Sequence, residues 1–154
     1  MVYLMEKLNW ILKGFSELIP EELYAILRLR SLVFVVEQQC VFLDMDNLDQ
    51  PAYHLMGWEG DKLVAYTRLL DKGTAYPGYP SIGRVVTSPD VRGTGIGRLL
   101  MQESIRQVEN LFGRQPIKIG AQYYLKSFYG SLGFEQAGDI YLEDGIEHIP
   151  MIRP

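Results

Sequence analysis

The stretch VRGTGIG, Val91–Gly97, places glycine at every second position, at Gly93, Gly95 and Gly97, with Thr94 between the first two. Glycine loses more backbone freedom on folding than any other residue, so three in seven need a reason. The neighbours supply one. SIGRVVTS, 81–88, alternates as a strand, and Ile96, Leu99, Leu100, Val108, Leu111 and Phe112 repeat at helical spacing up to Gly113. The glycines therefore join a strand to the head of a long helix. There the first amides lack internal partners and the macrodipole is positive. Glycines let those amides turn inward and let a ligand come close to the backbone, which makes an anion cradle. Arg92 and Arg98 flank the set. A cation at a helix N-terminus is unfavourable by roughly 0.3–1 kcal/mol. Two of them fit better around a multiply charged anion such as a pyrophosphate. The loop is not a P-loop, because GIGRLL lacks Gly-Lys followed by Ser or Thr. It is not the dinucleotide fingerprint either, since Arg98 or Leu100 stands where the last glycine belongs.

The rest of the chain bounds the fold. Its 154 residues, 47% hydrophobic and 22% charged, suit one domain, 1–154, with a core that needs no staples. One cysteine, Cys40, cannot form an internal disulfide, so a reducing, cytoplasmic setting is expected. Glu6, Lys7 and Asn9 break the first apolar run, and no apolar run approaches the roughly 18 residues of a membrane span. The net charge of −4 argues against a nucleic-acid partner, which would call for a basic stripe. A strand at NWILKGF precedes a helix over PEELYAILRLRSLVF, whose apolar face includes Arg30. Irregular chain through QQCVFLDMDNLDQP leads to a hairpin of YHLMGW and KLVAYTRLL, to which SIGRVVTS adds a third strand. After the long helix come a strand IKIGAQ, a short helix in YYLKSFYGSLGF, and a hairpin turning at Asp144-Gly145. The order specifies an α/β sandwich around a mixed, mostly antiparallel central sheet flanked by helices, with one parallel crossover.

Arg-x-x-Gly-x-Gly, Arg92 to Gly97, following VVTSP, resembles the coenzyme A loop of the GNAT N-acetyltransferases. SFYGSLGF, 127–134, is similar to the Phe-Tyr-x-x-x-Gly-Phe segment of the same family. LRSLVFVVEQQCVFLDMD, GRVV and YLEDGIEHI resemble its ElaA-like branch, departing at Val41 and Glu147, where that branch often has proline. The resemblance spans nearly the whole chain. It implies transfer of an acetyl group from acetyl-CoA to a primary amine, on a small molecule or a peptide, by direct attack through a tetrahedral intermediate. It implies no metal, and family members commonly pair, so a homodimer is open. The family pattern puts the coenzyme against Val85, Val86, Thr87, Arg92, Gly93, Thr94, Gly95, Gly97, Arg98 and Phe128. It also implies that the strand at Val85–Thr87 splays from its neighbour, so that an amide near Val85 or Val86 stabilises the oxyanion. Tyr129 is placed beside the sulfur, to protonate the leaving thiolate or to hydrogen-bond it.

The acceptor amine must lose a proton, and Glu37, His54 and His148 are candidate bases. Glu37 follows the apolar run VFVV, which would partly bury it beside Arg30 or Arg84. His148 lies in the last hairpin, and His54 opens a strand where it could merely be surface. Arg84 reads as a pocket residue or a strand ion pair. Cys40 is a nucleophile only if direct attack is abandoned. Asp44, Asp46 and Asp49 lack the glycine and glutamate of a calcium loop and read as a solvated loop, or as an attraction for a cationic acceptor. No His/Cys/Asp cluster has metal-ligand spacing. A catalytically quiet acyl-CoA-binding regulatory module and an interaction domain that keeps only the fold are the rival readings.

Overall fold

The computed structural model describes residues 8–154; residues 1–7, the front of the stretch read for a leader, lie outside them. Eight strands form two sheets. β1 (Leu8–Gly14), β2 (Tyr53–Glu59), β3 (Lys62–Leu70) and β4 (Ser81–Thr87) run in that order, each antiparallel to the next. In the second sheet β8 (Ile146–Arg153) lies between β5 (Ile117–Gln122) and β6 (Glu135–Gln136), and also pairs β7 (Tyr141–Glu143). The sequence order and the two hairpins are as expected. The turns obey residue chemistry: Gly60 closes β2–β3 at φ 61°, and Asp144 and Gly145 close β7–β8 at φ 50° and 78°, as a two-residue hairpin turn requires.

Helices cover both faces. α1 (Pro20–Arg30) begins with proline and two glutamates, and Glu22 accepts the Ile19 amide at 3.0 Å, satisfying one orphan donor at the helix head. Ile26 and Leu29 pack with Met56, Leu63, Tyr66 and Val86 on one side of the first sheet. α2 (Ile96–Phe112) covers the other side. Its N-terminal half packs Ile96, Leu99 and Leu100 on Leu55, Val64 and Ala65. Its C-terminal half packs Met101, Ile105 and Val108 with Ile117, Ile119, Ile149 and Met151 of the second sheet. The first helix departs from expectation. After Arg30 it widens to π geometry over Ser31–Glu37 instead of ending near Phe34, and the Gln38 amide reaches back to the Val33 carbonyl.

The β4–α2–β5 crossover is parallel, and it is where the two sheets meet. One backbone bond joins the strands, from the Lys118 amide to the Pro80 carbonyl at 3.0 Å. Beyond it no ladder forms between β4 and β5 among the described residues. The cause is local. Tyr66 pairs Val86 and Arg68 pairs Gly83, so Thr67 alone faces both Arg84 and Val85, a β-bulge. Arg84 takes the bulge with φ 49°, a left-handed value that is uncommon for a residue with a side chain. A bulge bends its strand and adds twist, and β4 turns away from β5.

Candidate functional site

The wedge between β4 and β5 opens into a cleft of about 1130 Å³. Val85, Val86 and Thr87 line it from β4, Arg92 and Gly97 from the glycine loop, and Phe128 and Tyr129 from α3 (Lys126–Gly130). Glu37, Cys40, Arg84 and His148 line it too. Gly93, Thr94, Gly95 and Arg98 are not among its walls, though Arg92 and Gly97 bracket the first three.

Gly93 and Gly95 sit at φ 77° and 88°, which explains glycine there without appeal to function. Thr94 ties the turn by donating its hydroxyl to the Val91 carbonyl. The amide of Leu99 is the first to bond back along the helix, to Gly95 at 3.3 Å. The amides from Gly93 to Arg98 have no acceptor among the described residues. That is the donor set an anion needs at a positive helix end. A Cβ built on Gly97 would stand 3.9 Å from the Phe128 ring, so the two sequence motifs meet side by side. Residues 93–98 and the unladdered edge of β4 thus fit a ligand with a diphosphate head and an extended polar arm. Arg98 is exposed and bonds Ser131, with Nη1 2.8 Å from its hydroxyl.

Tyr129 is buried. Its ring meets Phe128 and Phe134 edge-on at 5.1 and 6.0 Å. The residue also lines the cleft. Burial, with a smaller contribution from Tyr124, raises its pKa, so the phenol stays neutral as a donor. His148 is also buried, and its Nδ1 lies 2.8 Å from the Ile146 carbonyl. Nδ1 must carry the proton for that contact to be a hydrogen bond, which leaves the lone pair of the neutral ring on Nε2. Nε2 faces Glu143 at 3.4 Å, and Tyr141 stacks on the ring at 5.7 Å.

Three sequence readings need correction. Glu37 is not tucked beside Arg30 or Arg84; it is about 39% exposed and pairs with Arg92 at 2.6 Å, because the π turn carries it past the apolar run to the cleft. His54 is not a surface residue: fully buried, it lies 2.7 Å from the Tyr66 hydroxyl and 2.9 Å from the Asp49 carbonyl. Burial lowers its pKa, the Asp49 contacts only partly offset this, and the ring stays neutral and away from the cleft. The aspartates are not a solvated loop. Asp44 bridges Arg30 and Arg84 at 2.8 Å each, Asp49 holds Arg30 and Arg68 at 2.7 and 3.0 Å, and Asp46 takes Arg68 with both oxygens. Burial pushes Asp46 up, but the hydrogen bonds and charge of Arg68 outweigh it and hold the carboxyl at about 2. Asp49 is lowered in the same way, against its burial, by Arg30 and Arg68. Arg84 meets both of its readings, as a cleft wall and as an ion-pair partner.

Gln38, Tyr76, Tyr141 and Glu143 are cleft residues that were not singled out from the sequence. Gln38 bonds Gln122 of β5 at 3.2 Å, and the Cys40 thiol donates to the Asp144 carbonyl at 2.9 Å. The segment after the π helix is thereby strapped to the second sheet. Tyr76, Tyr141 and Glu143 line the end near His148. The Asp144-Gly145 turn was the available signal for one of them, since a two-residue turn fixes Tyr141 opposite His148. Among the described residues no group of three or more His, Cys, Asp or Glu is placed to hold a metal, and no helix is long and apolar enough to cross a membrane.

Comparison with known proteins agrees with this geometry. The acetyltransferase (GNAT) domain model matches residues 31–153. The Escherichia coli protein ElaA is 41% identical over 90% of this chain and 91% of its own, and its crystal structure superposes with a TM-score of 0.89 over 96% of this chain and 99% of that one. An acyl-CoA N-acyltransferase from Pseudomonas aeruginosa, 42% identical, also superposes at 0.89, covering 95% of this chain and 99% of its own. A UPF0039 protein of Synechocystis is 44% identical over 95% of both chains. The family model over residues 31–153, the ElaA relatives and the shared fold show that this chain belongs to the GNAT acyltransferases, on the branch that holds ElaA.

Proposed function

We propose that the protein transfers an acetyl group from acetyl-CoA to a primary amine, with the amides from Gly93 to Arg98 gripping the diphosphate. The observation that carries this is their freedom: a row of unpaired donors in the loop whose Arg92 and Gly97 line the cleft, which Tyr129 lines too. When bound, the thioester supplies a carbonyl carbon activated toward an amine. The free edge of β4 at Val85–Thr87 pairs with the pantetheine arm, and an amide near Val85 or Val86 stabilises charge developing on the carbonyl oxygen. Arg92 adds a cation at the diphosphate, and Phe128 walls the channel beside Gly97.

One residue moves a proton and another steadies the leaving group. His148 Nε2 takes a proton from the arriving ammonium, and Glu143 stabilises the imidazolium that results. Tyr129 donates a hydrogen bond to the departing sulfur, which takes up the second proton of the acylated nitrogen and leaves as the thiol. The phenol's raised pKa makes full transfer uphill, which favours the role of hydrogen-bond donor over that of acid. Glu37 is engaged with Arg92, so we assign it to the coenzyme end and not to the base.

Thiol release from acetyl-CoA across a panel of amines tests the reading. Tyr129→Phe should lower turnover roughly tenfold or more while leaving acetyl-CoA affinity within about twofold. Unaltered turnover would remove Tyr129 from the mechanism. Saturable binding with no turnover on any amine would mark a binding module instead.

A further inference from the structure

The cleft end beyond Tyr129 is acidic and aromatic in a way that the coenzyme does not use. Tyr76, Gly120, Tyr141, Glu143, Asp144 and His148 line it. A Cβ on Gly120 would fall on the Tyr141 hydroxyl and 3.1 Å from that of Tyr76, so the two phenols converge over this point of β5. Glu143 has no arginine or lysine partner; its one ionic neighbour among the described residues is His148. Its field reaches both phenols. Burial chiefly raises Tyr76 and Tyr141, with Glu143 adding to each. The basic residues that line the cleft are spoken for. Arg68 and Arg84 bind Asp44, Asp46 and Asp49, and Arg92 holds Glu37 at the coenzyme end. Lys118 lies 4.8 Å from the Tyr76 ring centre but is not a wall of the cleft.

An uncompensated carboxylate beside two aromatic rings attracts a cation. It repels an anion, and the one exposed and weakly paired cleft arginine, Arg92, belongs to the coenzyme end. We propose that this end selects a compact amine that carries positive charge and no carboxylate next to its nitrogen, with Glu143 as the recognising residue. The inference rests on the amine-acceptor reading above and names its substrate class: alkyl or aralkyl amines and diamines in preference to the amino acids related to them by one carboxylate.

Matched pairs test it, read as binding so that recognition is separated from proton transfer at His148. Cadaverine and L-lysine, then tyramine and L-tyrosine, are titrated calorimetrically into the protein saturated with coenzyme A, and turnover with acetyl-CoA is measured in parallel. The expected result is at least tenfold tighter binding of each amine than of its amino acid. Glu143→Gln should remove most of that difference at unchanged coenzyme A affinity, and Glu143→Lys should reverse it. Glu143 is largely exposed, so neither variant threatens the fold. Equal binding within each pair, a preference for the amino acids, no binding of any probe, or indifference to Glu143→Gln overturns the proposal, and turnover on some other amine would then leave the acyltransferase reading standing. Glu143-dependent binding of cadaverine with no turnover on any amine of the panel supports the subsite and sinks the enzyme reading instead.

Discussion

Arg30 and Arg92 are the same side chain in opposite settings. Arg30 has no exposed surface and is held by Asp44 and Asp49; Arg92 is about 44% exposed and meets Glu37 alone. Removing one partner of a buried, hydrogen-bonded pair strands a charge, at a cost of about 3–5 kcal/mol. Losing an exposed pair costs about 0–1 kcal/mol, because water replaces the lost contact. The first arrangement can therefore serve as framework. The second is weak enough for an arriving anion to exchange for Glu37.

The largest expected effect tests the framework half. Asp44→Ala leaves Arg30 and Arg84 without their shared carboxylate and should lower stability by about 3–5 kcal/mol, a fall in the thermal midpoint on the order of 10 °C. A loss below about 1 kcal/mol would show that the network is not structural. Acid titration probes the same half more gently. Asp46 and Asp49 are held below their ordinary value of 3.8, so their contribution is complete above that value and is lost as pH falls through the folded one, about 2 for Asp46. Thermal unfolding of the protein and of Asp46→Asn should therefore converge as pH drops from 5 toward 2, whereas a constant gap would contradict the pairing. The exposed half gives the smallest changes. Arg92→Ala should shift stability by no more than about 0.5 kcal/mol yet weaken acetyl-CoA binding roughly tenfold, and Glu37→Gln, by freeing Arg92, should tighten it by about two- to threefold. Loosened binding in Glu37→Gln would mean that the glutamate orients Arg92 instead of competing for it.

The same contrast explains what the sequence disclosed. Glycine spacing and helical period are local, so the loop, α2 and the hairpins were legible, and a match to family motifs supplied Tyr129 and Phe128. Burial of charge is not local. Arg30 stood out on an apolar helix face, but its partners lie 14 and 19 residues on, in a stretch with no periodicity to say which way its acids point. His54 was ambiguous for the same reason: only pairing with β3 brings the Tyr66 hydroxyl to it. Glu37 was misplaced because a π turn rotates every later side chain, and VFVV reads identically in either helix. Tyr76 and Glu143 come together through contacts between separate elements, which no window of sequence contains.

The left-handed Arg84 has a kinetic corollary. The gap beside β4 comes from an extra residue in a strand, and that residue is clamped by Asp44, itself 5% exposed and engaged with Arg30. The aperture is therefore set by the strand itself and by its ion pairs. A receptor shaped before its guest arrives loses little entropy on capture. Association should accordingly follow a single diffusional phase, linear in guest concentration, without the plateau that a slow isomerisation would impose.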